Sequence, residues 1–237
     1  MSDFMNNDIF DLSNIIDQEP EFIPLISEEE EEKMNKEEIP EELPILTLRN
    51  NALFPGVVIP ITVGRDKSIK LIEDAYAKDK TIGVVSQIKA EIEEPEIEDI
   101  HTVGTVAHII KKLKMPDGST TIIIQGKRRF EIQSFIQEKP YFRALVKGLD
   151  ETKLDMTEVK NMALLDSMKE MALKIIKESP HIPSEASFAI KNIESPTFLV
   201  NFIASNLSGD VAKKQILLQT DDVQQRIEQI LAHLSYE

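Results

Sequence analysis

The chain has 237 residues, 41% of them apolar, enough to bury a core of one large or two small domains. It has no cysteine, which excludes disulfides, thiolate nucleophiles and Cys-based zinc sites. The net charge of −15 is concentrated at one end. Residues 1–42 hold 15 acidic and 2 basic side chains, hence −13, and the remaining residues hold 27 and 25, hence −2.

The first 42 residues read as an acidic, flexible tail with few core contacts. Glu28 to Glu32 is an unbroken run of glutamates, and like-charge blocks repel rather than pack. Two apolar clusters interrupt it. Ile9, Phe10, Leu12, Ile15 and Ile16 have roughly helical spacing that suits docking on a partner, and Phe22, Ile23, Leu25 and Ile26 form the second. The N-terminus is acidic where a signal peptide needs a basic start. No apolar run approaches the ~20 residues that span a membrane, and the expected location is cytoplasmic.

Short strands are expected from Leu43. Phe54-Pro55-Gly56 reads as a turn in which proline sets φ and glycine accepts φ > 0. Val57–Val63 is β-branched, but Pro60 has no N–H to donate, which places that strand at a sheet edge or bulge. Asp66 suits a helix N-cap, with Ile69, Ile72 and Tyr76 on one face. Thr81–Val85 returns to a strand, and Glu91–Asp99 is an acidic loop. Val103–Leu113 and Thr120–Ile124 form a hairpin around Met115-Pro116-Asp117-Gly118-Ser119. Gly126–Ile132 and Pro140–Val146 are the last expected strands.

After about Asp150 the period becomes helical. Met156–Lys177 forms a long helix that Ser179-Pro180 stops. Ser184 precedes a short helix holding Phe188, Ile190 and Ile193. Ser195 caps a helix with Pro196 at its first position, followed by Phe198, Leu199, Phe202 and Ile203. Ser208 or Asp210 caps Val211–Leu218. Thr220 is the expected cap of the last helix, with Asp221 and Asp222 at its positive end. Val223, Ile227, Ile230, Leu231 and Leu234 keep their period with no stop signal before Glu237, so this helix reads as truncated.

Motifs for catalysis are not found. A phosphate loop needs G-x-x-x-x-G-K-[ST], and Gly126-Lys127 has neither the upstream glycine nor the following hydroxyl. His101, His108, His181 and His233 form no metal-ligand spacing. Ser68/Lys70 and Ser167/Lys169 are two apart on expected helices and do not face each other. No G-x-S-x-G elbow is present. Catalytic, cofactor and metal residues are therefore expected to be none. Lys111, Lys112, Lys114, Lys127, Arg128 and Arg129 flank the hairpin. Phosphate contact would use such a cluster, but interleaved aromatics are lacking apart from Phe130, and solvated charge is the expected reading. Arg65-Asp66-Lys67, at a strand-to-helix corner, is the candidate contact for client chains or a neighbouring subunit, with ordinary capping charge as the alternative.

Three ordered motifs resemble one family. They are L-P-I-L-T-L-R-N-N-A-L-F-P-G to G-R-D-K-S (Leu43–Ser68), Val103-Gly104-Thr105-Val106-Ala107 through P-D-G-S-T to Gly126 and Arg129, and Phe202-Ile203-Ala204 through Lys214-Gln215-Ile216-Leu217-Leu218 to Arg226-Ile227. Together they resemble the N-terminal domain of the ATP-dependent serine protease Lon. That resemblance implies an α+β fold: a PUA-like pseudo-barrel over 43–148, then a helical bundle over 149–237. It implies a substrate-recognition and gating module acting in protein quality control. It also implies a parent with an AAA+ ATPase using ATP and Mg and a serine–lysine peptidase, assembled as a homohexamer. Unfolded or damaged proteins and other Lon subunits are the implied partners, with nucleic acid and membrane not expected. A stand-alone binding protein contacting RNA or a small ligand is the alternative.

Overall fold

In a computed structural model, the described residues are 26–115, 119–178 and 184–235. The fold combines one six-stranded mixed sheet with helices, an α+β arrangement. Strands β1 (Glu42–Leu48), β2 (Val58–Val63), β3 (Thr81–Ser86), β4 (Val103–Lys114), β5 (Thr120–Gln137) and β6 (Arg143–Gly148) lie in the order β2-β5-β4-β3-β1-β6. The long strand β5 also pairs with β6, so β5-β4-β3-β1-β6 closes into a ring with β2 outside it. Among the described residues β2 pairs only with β5, and Pro60 sits opposite Ile123 on that edge strand, where a missing N–H is tolerated.

β1 and β3 run parallel, Ile45 opposite Gly83, which requires a crossover. The connection carries a helix, Asp66–Tyr76, whose Leu71, Ile72 and Ala75 are buried. β5 is one continuous strand rather than the two expected. It bends through register shifts between Ile132 and Ser134 and again between Phe135 and Gln137. The hairpin between β4 and β5 is present, with Lys114 opposite Thr120 and the Met115 N–H donating to the Ser119 carbonyl at 2.9 Å. Residues 116–118 at its tip lie outside the described residues, as do the apolar clusters before Ile26 and the stop at Ser179-Pro180.

Phe54-Pro55-Gly56 is the expected turn. Gly56 has φ +80°, and the Val57 N–H donates to the Phe54 carbonyl at 3.2 Å. A Cβ at Gly56 would lie 2.6 Å from Phe198 Cδ2, so this residue must be glycine on two counts.

The helices are α1 (Glu28–Lys36), α2 (the crossover helix), α3 (Val159–Glu178), α4 (Ser184–Asn192), α5 (Pro196–Asn206), α6 (Val211–Gln219) and α7 (Val223–Ser235). One apolar cluster unites the outer face of the sheet with the helices. It runs from Leu46, Phe54, Ile82, Ile109, Ile122 and Ile124 to Met168, Ile190, Phe198, Ile203, Ile227 and Ile230. A second cluster takes Leu43, Ile45, Val85, Val106, Phe130, Ile132 and Ala144 from all five ring strands, on their other face.

Several local expectations are corrected. Residues 26–42 are mostly exposed, as a solvated tail would be, but they are not without structure or core contacts. α1 is capped by a Ser27/Glu30 capping box, its glutamates favour the positive helix end, and Ile26 and Met34 are buried. The first helical turn thus uses the acidic run rather than suffering from it. The cap of α2 is the backbone of Arg65, with no side-chain hydrogen bond, and Asp66 is already helical. α7 is capped by Asp222, whose Oδ1 accepts the Gln225 N–H at 3.0 Å, while Thr220 ends α6. Ser195 and Asp210 cap α5 and α6 as expected. α3 starts at Val159 rather than Met156. Phe188 of α4 is 66% exposed, while Ala186, Ala189 and Ile190 face the core.

Candidate functional site: the Arg65 corner and the strand–helix junction

Arg65 lies where β2 hands over to α2. Its Nη1 donates to Thr47 Oγ1 at 3.0 Å and its Nη2 to Gln87 Oε1 at 2.6 Å. Gln87 is buried, and its Nε2 donates to the carbonyls of Lys89 and Ile92 at 3.3 and 2.9 Å. Arg65 thereby ties β1 to the start of the acidic loop after β3. Arg65 is half-buried, and burial together with Arg49 lowers its pKa. Lys67 pairs with Glu94 at 2.8 Å, and Asp66 is exposed. The three candidate residues are neighbours, but Arg65 and Lys67 already have partners within the chain.

A second site lies where the strands meet the helices. Arg129 of β5 is fully buried. Its Nε lies 2.9 Å from Glu151 Oε1 and its Nη1 2.9 Å from Asp221 Oδ1. Its Nη1 also donates to the Leu218 carbonyl at 2.9 Å, and its Nη2 to the Asp150 carbonyl at 3.1 Å. Arg226 of α7 is buried as well. Its Nη2 donates to the same Glu151 Oε1 at 3.0 Å and to the Thr220 carbonyl at 2.6 Å, and its Nη1 to Asn201 Oδ1 at 2.7 Å. Burial pulls the Arg226 pKa down, and the Glu151 carboxylate opposes this. Carbonyls at the end of α6 accept these bonds, where a helix terminus leaves acceptors free.

This node breaks up the expected basic cluster. Arg129 is inside the protein. Arg128 pairs with Asp150 at 3.1 Å and donates to the Glu37 carbonyl at 2.9 Å, and Lys127 lies 3.6 Å from Glu37. The sequence reading missed Arg226 and Glu151. A signal existed: Arg226 falls three residues after Val223 and four before Ile230, on the apolar stripe of α7, where an unpaired charge is costly.

A groove of about 480 Å³ opens beside the node. Its wall on one side is α1, with Glu28, Glu31 and Glu32, and on the other Leu154, Met156 and Pro196. The Glu31 carboxylate accepts the hydroxyl of Ser195, the cap of α5. Burial pushes the Glu31 pKa up, the Ser195 bond opposes this, and the nearby Glu151 and Glu28 carboxylates add to the rise. Apolar surface between strands and helices is otherwise taken up by the shared core. The Ser167 hydroxyl donates to the Ala163 carbonyl of its own helix at 2.7 Å, and the Lys169 Nζ to the Lys191 carbonyl at 3.4 Å. Among the described residues no helix is long and apolar enough to cross a membrane.

Comparison with known proteins follows the same lines. Residues 42–235 match the model of the ATP-dependent protease La (LON) substrate-binding domain. A Lon protease of Flavobacterium johnsoniae is 53% identical over 236 residues, covering 98% of this chain and 29% of that protein. A Lon protease of Cytophaga hutchinsonii is 52% identical over 213 residues, covering 90% of this chain and 26% of that protein. The chain therefore spans less than a third of these relatives. Among solved structures, the N-terminal domain of a Mycobacterium avium complex Lon protease superposes with TM-score 0.66 at 20% identity, covering 82% of this chain and 98% of that one. A Lon N-terminal domain protein from Xanthomonas campestris gives TM-score 0.59 at 20% identity, covering 81% and 97%. With a family match across nearly all the described residues, the chain belongs to the substrate-binding domain family of the ATP-dependent protease Lon.

Proposed function

We propose that this domain recruits and gates protein clients for an ATP-dependent Lon protease. The match of residues 42–235 to the substrate-binding domain carries this reading. ATP, Mg and the serine–lysine peptidase belong to other parts of the parent protein. A hexameric ring of subunits would multiply weak single-site contacts, because tethering raises effective concentration. Clients are unfolded or damaged proteins, and the expected compartment is the cytoplasm. The closed ring β5-β4-β3-β1-β6 supports a PUA-like pseudo-barrel, with the helical part packed on its outer face. Arg65 acts through the loop it holds, and Asp66 and Lys67 offer the charge beside it.

The test is a titration of labelled unfolded protein against the monomer and against an artificially oligomerised form. Weak binding by the monomer and stronger binding by the oligomer are expected. Undetectable binding by both overturns the proposal.

A further inference from the structure

We infer that residues 26–41 form a displaceable strap seated on the surface that accepts client segments, beside the open groove, so that the domain is held in a self-occupied state. The inference rests on the recognition role proposed above. The strap is bound as a peptide ligand is bound. Ile26 is buried within reach of Gly56 and Phe198, Met34 is buried on the inner face of α1, and Ile39 lies over Gly148. Main-chain groups anchor its far end: the Glu41 carbonyl accepts the Val146 N–H at 2.9 Å, and the Glu37 carbonyl accepts from Arg128. Spaced apolar anchors with main-chain hydrogen bonds are a sequence-tolerant mode of recognition, which is what capture of varied unfolded chains requires.

Further observations make the strap an occupant rather than part of the framework. The family match begins at residue 42, so the strap lies outside it. The groove continues open beside α1, leaving room for a second segment along the same wall. The hold also contains an unfavourable element. Glu31 is half-buried against Ser195, and the charged groups facing it are Glu28 on its own helix and Glu151 and Lys153 on the body. Two of those three repel its carboxylate. Removing the strap would bare Phe198 and the Gly56 turn together with Lys127 and Arg128, which now face Glu37. The client chemistry that fits is an unfolded segment with spaced apolar residues and intervening acidic ones, like the strap itself.

The experiment uses the full chain and fluorescein-labelled casein, an acidic unfolded probe. Met34→Glu and, as a milder opening variant on the strap itself that keeps the apolar core intact, Glu37→Lys should both lose hydrogen-exchange protection over residues 28–36. If the strap is seated ~90% of the time, opening it should tighten casein binding about ten-fold, since apparent affinity scales with the competent fraction. Glu31→Gln should seat the strap more firmly and weaken casein binding at neutral pH. A synthetic peptide of residues 26–41 should compete with casein on the opened variants. Equal casein affinity before and after demonstrated opening, or failure of the peptide to compete, overturns the strap inference while leaving recognition in place. No casein binding by any variant, even when oligomerised, overturns the recognition reading itself.

Discussion

Arg129 and Arg226, from β5 and α7, meet on a single oxygen: Oε1 of Glu151 lies 2.9 Å from Arg129 Nε and 3.0 Å from Arg226 Nη2. Two buried guanidinium groups share one carboxylate, with Asp221, the Asn201 amide oxygen and the carbonyls of Asp150, Leu218 and Thr220 as their further acceptors. The node joins the last turn of α6, the start of α7 and the ring of strands.

Glu151→Gln should therefore be strongly destabilising. It leaves two buried cations with one carboxylate, and breaking a buried pair from one side costs roughly 3–5 kcal/mol. Urea unfolding should show a loss in the lower part of this range, because Asp221 remains. A loss under about 1 kcal/mol would mean that the node does not hold the helices to the strands.

Gly56→Val should cost more than Arg65→Ala. At φ +80° a β-branched residue is strained by ~1 kcal/mol or more, and its Cβ would press on Phe198, an overpacking worth ~1–3 kcal/mol. Arg65→Ala removes two hydrogen bonds and leaves Gln87 Oε1 without that donor, for about 1–2 kcal/mol. Denaturant melts of both decide the order. An Arg65→Ala variant that melts like the parent would show that these bonds contribute nothing net.

The pH dependence of strap seating follows from Glu31. Its pKa is raised in the folded state, so the seated strap binds the proton more tightly than the free one. Stability from this group is fully present below its ordinary pKa of 4.5 and is lost as pH rises through the raised value. Glu31→Gln should match the parent at pH 4 and exceed it at pH 7 in thermal midpoint. Equal midpoints at both pH values would contradict a desolvated Glu31.

Deleting residues 1–41 should lower the thermal midpoint. The deletion removes the buried Ile26 and Met34, each worth ~1.5–3 kcal/mol of apolar burial before the entropy of ordering the strap is subtracted. A net loss of about 1–2 kcal/mol corresponds to a shift of roughly 2–8 °C for a domain of this size. An unchanged midpoint would restore the reading of this segment as a tail without core contacts.

Much of the fold was legible along the chain because its signals are local. The Phe54-Pro55-Gly56 turn, the edge position of Pro60, the Ser195-Pro196 cap and the stripe of α7 each follow from backbone constraints within a few residues. The three ordered motifs were enough to place the chain in its family. The tertiary structure alone decided which charges are buried. Strand alternation sets Arg128 and Arg129 on opposite faces, but only the arrival of α6 and α7 decides that Arg129 is the one inside, leaving Arg128 on Asp150 and Glu37. The same holds for the acidic run. Its composition predicts solvation, but Ser27 and Glu30 cap a helix, and Ile26, Met34 and Ile39 find apolar seats on residues distant in sequence. Helix capping is a short-range effect, whereas partner choice for a charge or an apolar anchor is set by contacts that exist only once the chain has folded.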